Sequence, residues 1–176
     1  MSHQLTKLRQ QCQTRLRQLE LTGPVDVERI RQIVVRQRGR PLEFLPLASD
    51  LGPFGLWVAT ARADYIFFAR DTTPLHQQHI VLHEISHILC GHSAAVISEN
   101  DLLRMLLPDL QPALVHSLLG RSAYAASQEQ EAEMLATLLL ERGSAQPMTA
   151  ISADTDAAVI VQRLVATLTD LPGWSA

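Results

Sequence analysis

Apolar positions along this chain recur with a helical period at its flanks and crowd into short strand-like runs between them. Leu5, Leu8, Cys12, Leu16 and Leu19 share one stripe at a spacing of about 3.6, which predicts an amphipathic helix over residues 4 to 20. Thr22-Gly23-Pro24 breaks it. Asp26 is placed to cap a second helix running to Arg38, with Val27, Ile30, Ile33 and Val34 inward and Arg29, Arg31, Arg36 and Arg38 outward. Two helices in succession invite a helix-turn-helix reading, but the linker and the sparse third helix do not fit one. A helical packing layer explains the pattern.

Gly39-Arg40-Pro41 opens a β region with strands expected at Leu42 to Leu47, Gly55 to Thr60 and Asp64 to Arg70. Ala61-Arg62-Ala63 turns between the last two. Asp71-Thr72-Thr73-Pro74 then starts a helix from about Leu75 to Gly91, with Pro74 in its first turn and Gly91 as its C-cap. Residues 99 to 120 predict one or two short helices punctuated by Pro108 and Pro112. A longer helix follows from Tyr124 to Arg142, then a linker at Gly143 to Pro147 and a last helix from Asp154 to Leu168. The expected fold is α+β: a small three-stranded sheet packed on the helix at 75 to 91, with helices before and after. The expected divisions are an N-terminal helix (residues 1 to 24), a main domain (25 to 146) and a C-terminal helical extension (147 to 176).

Composition narrows the classes. The 176 residues suffice for one real core, and 47% hydrophobic with 19% charged is a globular balance. A net charge of −3 offers no basic field for nucleic acid, so direct nucleic-acid binding is not expected. The arginines between Arg9 and Arg40 read as the wet side of two helices. Cys12 and Cys90 do not make a disulfide framework, which points to a reducing, cytoplasmic setting. Residues 1 to 20 lack a signal-peptide core, and no apolar run approaches the ~20 residues that span a membrane.

The chemistry concentrates at His83-Glu84-Ile85-Ser86-His87. Residues four apart on a helix share a face, so His83 and His87 can close on one metal ion, zinc being the natural guest for two imidazoles. Glu84 is then near enough to take a proton from a water that the metal has acidified. The plain alternative is two hydrogen-bonded structural histidines. Ile80, Val81, Leu82, Ile85, Ile88 and Leu89 argue against it, because an ionised Glu84 on so apolar a helix needs a cationic partner.

A hydrolytic zinc site needs a third protein ligand. Extension along the same helix to H-E-x-x-H-x-x-G-x-x-H fails, because Cys90 and Ser93 stand where Gly and His would be required. The later Glu129-Gln130-Glu131-Ala132-Glu133 offers carboxylates instead. Glu129 and Glu133 share a face, giving Glu129 to the metal and Glu133 to the far nitrogen of a ligand histidine. Glu131 is expected to point to solvent. Alone, this acidic cluster would read as a solvated first turn of helix. Cys90 is expected to be a buried, inert thiol, and His76 and His79 exposed polar residues.

Together the two motifs, H-E-I-S-H and, about forty residues later, Glu129-x-Glu131-Ala132-x-x-Leu135-Ala136, resemble the ImmA/IrrE family of zinc metallopeptidases. Ser86, Glu133 and Leu135 depart from the residues common there, which are Gly, Asn or Asp, and Phe. The resemblance implies a zincin-like fold, Glu129 as third ligand, and limited cleavage of a regulatory protein, often a helix-turn-helix transcriptional repressor. A different class of function also accommodates these ligands: a metal-bearing interaction module or toxin–antitoxin component that binds its partner without cutting it.

For a peptidase, His116, Arg121 and Tyr124 are the candidates to stabilise the oxyanion. Tyr124 is favoured as catalytic because it stands five residues before Glu129. The strand at Tyr65-Ile66-Phe67-Phe68 has two readings, an edge that takes extended substrate by strand addition and an ordinary core strand.

Overall fold

A computed structural model of the chain describes residues 3–19, 21, 26–47, 55–96 and 124–143. The readings placed at Thr22-Gly23-Pro24, over residues 99 to 120, on His116 and Arg121, and on the final helix lie outside these residues. The described residues form a mixed α+β fold of four helices and a four-stranded sheet. In chain order they are α1 (His3–Gln18), α2 (Val27–Arg38), β1 (Leu42–Leu47), β2 (Gly55–Ala59), β3 (Asp64–Ala69), α3 (Pro74–Cys90), β4 (Ala95–Val96) and α4 (Ala126–Arg142). No described helix is long and apolar enough to cross a membrane.

Helix ends follow their chemistry. The Asp26 carboxylate accepts from the Arg29 amide to start α2, and Gly39, in the left-handed conformation at φ 67°, ends it. Thr73 caps α3 by accepting from the His76 amide, with Pro74 in the first turn. The Gln128 side chain accepts from the Ala125 amide at the start of α4.

The sheet order is β1-β3-β2-β4, with β1 parallel to β3, β2 antiparallel to β3 and β4 parallel to β2. This corrects two expectations. A fourth strand exists, too short at Ala95–Val96 to carry a periodic signal. The edge-strand reading of Tyr65 to Phe68 also fails: β3 is hydrogen-bonded on both sides, and all six of its residues are buried. An uninterrupted apolar run has two faces to bury, and an interior strand supplies cover for both.

One core joins these layers. Cys12 and Leu16 of α1, Ile30 and Val34 of α2, Trp57 and Ile66 of the sheet, Val81 and Ile85 of α3, and Leu135 and Leu139 of α4 belong to a single buried cluster. A polar corner closes it. The buried carboxylate of Asp64 accepts from Arg38 at 2.9 and 3.1 Å, from Arg40 at 2.8 and 2.7 Å, and from the Trp57 indole at 3.0 Å. Arg38, expected to face outward, thus ties α2 to β3 and lies 5.3 Å from the Trp57 ring centroid.

Candidate metal centre

Helix α3 is buried along most of its length, and its helical spacing brings His83 and His87 to one side. Their Nε2 atoms stand 3.0 Å apart. Glu129, in the first turn of α4, brings Oε2 to 3.3 Å from His83 Nε2 and Oε1 to 3.7 Å from His87 Nε2. Ligands on a tetrahedral ion with bonds of about 2.0–2.2 Å stand roughly 3.3–3.6 Å apart. The three groups therefore fit one small dication, and His83, His87 and Glu129 form one of the described clusters able to hold a metal. His87 is completely buried, and burial, then His83 and His92, lowers its pKa to about 3. It stays neutral and keeps a lone pair for a metal.

Glu84 lies beside these ligands and is 6% exposed. Burial, then the negative charge of Glu129, pushes its carboxyl up to about 8, while a hydrogen bond from the Trp57 backbone acts the other way. β2 runs close over it. A Cβ on Gly55 would come within 2.5 Å of Glu84 Oε1 and 2.8 Å of Ile80 Cγ2, so only a glycine fits there without displacement.

Tyr124 completes the inner wall. Its ring stacks on His87 with centroids 3.6 Å apart and planes 20° from parallel. Its hydroxyl is buried and has no hydrogen-bond partner among the described residues. Burial, then Glu84 and Glu129, raises its pKa, so the hydroxyl keeps its proton and remains a donor. The structure thus brings together Glu84, Tyr124, His83, His87 and Glu129.

Each ligand histidine also has an outer neighbour. His83 Nδ1 lies 3.2 Å from Glu133 Oε2, and the same oxygen lies 3.1 Å from His79 Nε2. Burial acts to raise the Glu133 pKa, but hydrogen bonds from His79 and His83 outweigh it, and the carboxylate stays below its usual range. His79, expected to be a free surface histidine, is joined to the site through Glu133. His87 Nδ1 lies 2.9 Å from His92 Nδ1, and His92 Nε2 lies 3.4 Å from Glu131 Oε2.

Glu131 therefore does not face open solvent, as its spacing suggests. It pairs with Arg15 of α1 at 3.1 Å, a partner 116 residues away that no local pattern announces. Cys90 sits beside Glu131 and groups with it and His92, not with His83 and His87. Its thiol is pushed up to about 12 by burial, then by Glu131. His92 is the residue that sequence reasoning missed. It lies just beyond a helix cap, where the 3.6-residue period no longer tells where a side chain goes.

Compared with protein-family models, with curated proteins and with solved structures, the chain matches none.

Proposed function

We propose that the protein is a zinc-dependent peptidase with a zincin-like fold, acting in the cytoplasm on a regulatory protein, for which a helix-turn-helix repressor is the leading class. One observation carries this reading: three metal-binding groups converge from two helices, with a buried carboxylate beside them that has no cationic partner among the described residues. The substrate class rests on the resemblance to the ImmA/IrrE family alone.

A zinc ion held by His83, His87 and Glu129 would supply a Lewis acid and lower the pKa of a water towards ~7. Its charge would also favour ionised Glu84, opposing the upward push of burial. Glu84 then takes a proton from the attacking water and returns it to the leaving amine. Tyr124 donates its hydroxyl to the oxygen of the scissile carbonyl as negative charge develops there. Glu133 holds His83 by its outer nitrogen.

Elemental analysis of the purified protein, alongside Glu129→Ala and Glu84→Gln, tests the site. The parent and Glu84→Gln should each carry about one zinc, and Glu129→Ala should lose most of it. With that pattern in hand, a proteome-derived peptide library should be cut by the parent and left intact by Glu84→Gln. A parent that contains no zinc and takes none up removes the peptidase reading. Zinc without cleavage of peptides or of repressor proteins favours a partner-binding module.

A further inference from the structure

The end of α3 carries a second device. Gly91, at φ 75°, lets the chain reverse so that its amide donates to the Ile88 carbonyl and the His92 amide donates to the His87 carbonyl, each at 3.0 Å. This is the paired 5→2 and 6→1 pattern of a Schellman cap, which lays the second residue beyond the helix against the residue five before it. That contact is usually apolar. Here it joins two imidazoles, the His92 side chain being 6% exposed and that of His87 fully buried.

Proton placement along this contact is fixed by chemistry. If His87 offers Nε2 to a metal, its Nδ1 must carry the hydrogen, so His92 Nδ1 accepts and His92 Nε2 is left as the donor. Glu131 Oε2 stands where that donor needs an acceptor. Arg15 holds Glu131 Oε1 at 3.1 Å and also donates to the Leu89 carbonyl in the last turn of α3 at 2.9 Å. Cys90, His92 and Glu131 are close enough to bind an ion of their own. Arg15 already supplies Glu131 with its cation, however, and a metal ion there would face a guanidinium.

We infer that His92, Glu131 and Arg15 form a positioning chain for the metal centre, fixing the tautomer and ring orientation of His87 from the N-terminal helix. The inference rests on the proposed zinc site. Losing such an outer partner lowers metal affinity by about 10–100-fold.

Zinc affinity measured by chelator competition, with the visible spectrum of the cobalt(II)-loaded protein, tests the chain in His92→Leu and His92→Asn. Asparagine places a carbonyl oxygen near the position of His92 Nδ1 and can accept from His87; leucine fills space and cannot. The expected result is zinc binding about 10–100-fold weaker with a shifted cobalt spectrum in His92→Leu. His92→Asn should return both towards the parent. Equal affinity in parent and His92→Leu overturns the chain, as does a His92→Asn protein no better than His92→Leu.

If His92→Leu does not fold, Glu131→Ala against Glu131→Gln asks the same question one link out: loss in the first with recovery in the second supports the chain, and equal behaviour overturns it. A parent that binds no zinc fails differently, because it removes the site itself.

Discussion

Two buried carboxylates in this molecule have opposite surroundings. Asp64 receives five hydrogen bonds from Arg38, Arg40 and Trp57. Burial alone would raise its pKa, but those donors outweigh burial and hold it below its ordinary value. Glu84 is as deeply placed, has Glu129 as a charged neighbour of its own sign, and is raised to about 8. Tyr124 repeats the pattern of Glu84, its hydroxyl buried and without a partner among the described residues. A corner built for stability satisfies its polar atoms within the fold. At the other corner, among the described residues, Glu84 has only the Trp57 backbone as donor and an anion for a neighbour, and the Tyr124 hydroxyl has no partner. Functional groups are found in such surroundings more often than structural ones.

Several changes would break or sharpen that contrast. Asp64→Ala should have the largest effect, because it leaves two partly buried guanidinium groups unpaired at the junction of α2 and the sheet. Loss of a buried partner costs about 3–5 kcal/mol, and the partial exposure of both arginines brings the expectation nearer 2–3 kcal/mol, read as a fall in thermal midpoint. A midpoint within a degree of the parent would mean that the Asp64 corner is not structural.

Tyr124→Phe comes next. It should lower the rate of peptide cleavage by about 100-fold while leaving zinc content unchanged, since it removes a donor and keeps the ring on His87. An unaltered rate would place the oxyanion donor elsewhere.

The smallest effect is on the pH dependence of stability in the metal-free protein. Asp64 has a depressed folded pKa, so its contribution is present above about pH 4 and is lost as pH falls below that. Glu84 has a raised folded pKa, so its contribution is complete below about pH 4 and fades as pH rises through about 8. Denaturation midpoints across this range should fall at both ends. Glu84→Gln should lessen the fall on the alkaline side and Asp64→Asn the fall on the acid side. Buried His87, with its pKa lowered to about 3, adds its own share to the acid side. The opposite assignment of the two variants would contradict the contrast.

Much of this architecture was legible because its causes are local. Asp26 and Gly39 bound α2 through their own side-chain and backbone chemistry, and Thr73-Pro74 and Gly91 do so for α3. The spacing of His83, Glu84 and His87 needs only a helix, and the four-residue spacing of Glu129 and Glu133 likewise puts both on one side of α4. What escaped depends on contacts distant in sequence. The position of β3 inside the sheet is decided by β1 and β2 together. The face of α4 that carries Glu131 has the spacing of a solvated one, and it is α1 that covers it with Arg15. His79 reaches the site only through a carboxylate 54 residues later.

The tight approach of Gly55 to Glu84 bears on how this site can change over time. One wall beside the carboxylate is bare main chain, and any side chain at residue 55 would strike Glu84 Oε1 or Ile80 Cγ2. A larger residue there would have to displace the carboxylate or the isoleucine, so a change at 55 is felt first by Glu84. Residue 55 thus constrains the placement of the Glu84 carboxylate through its lack of a side chain.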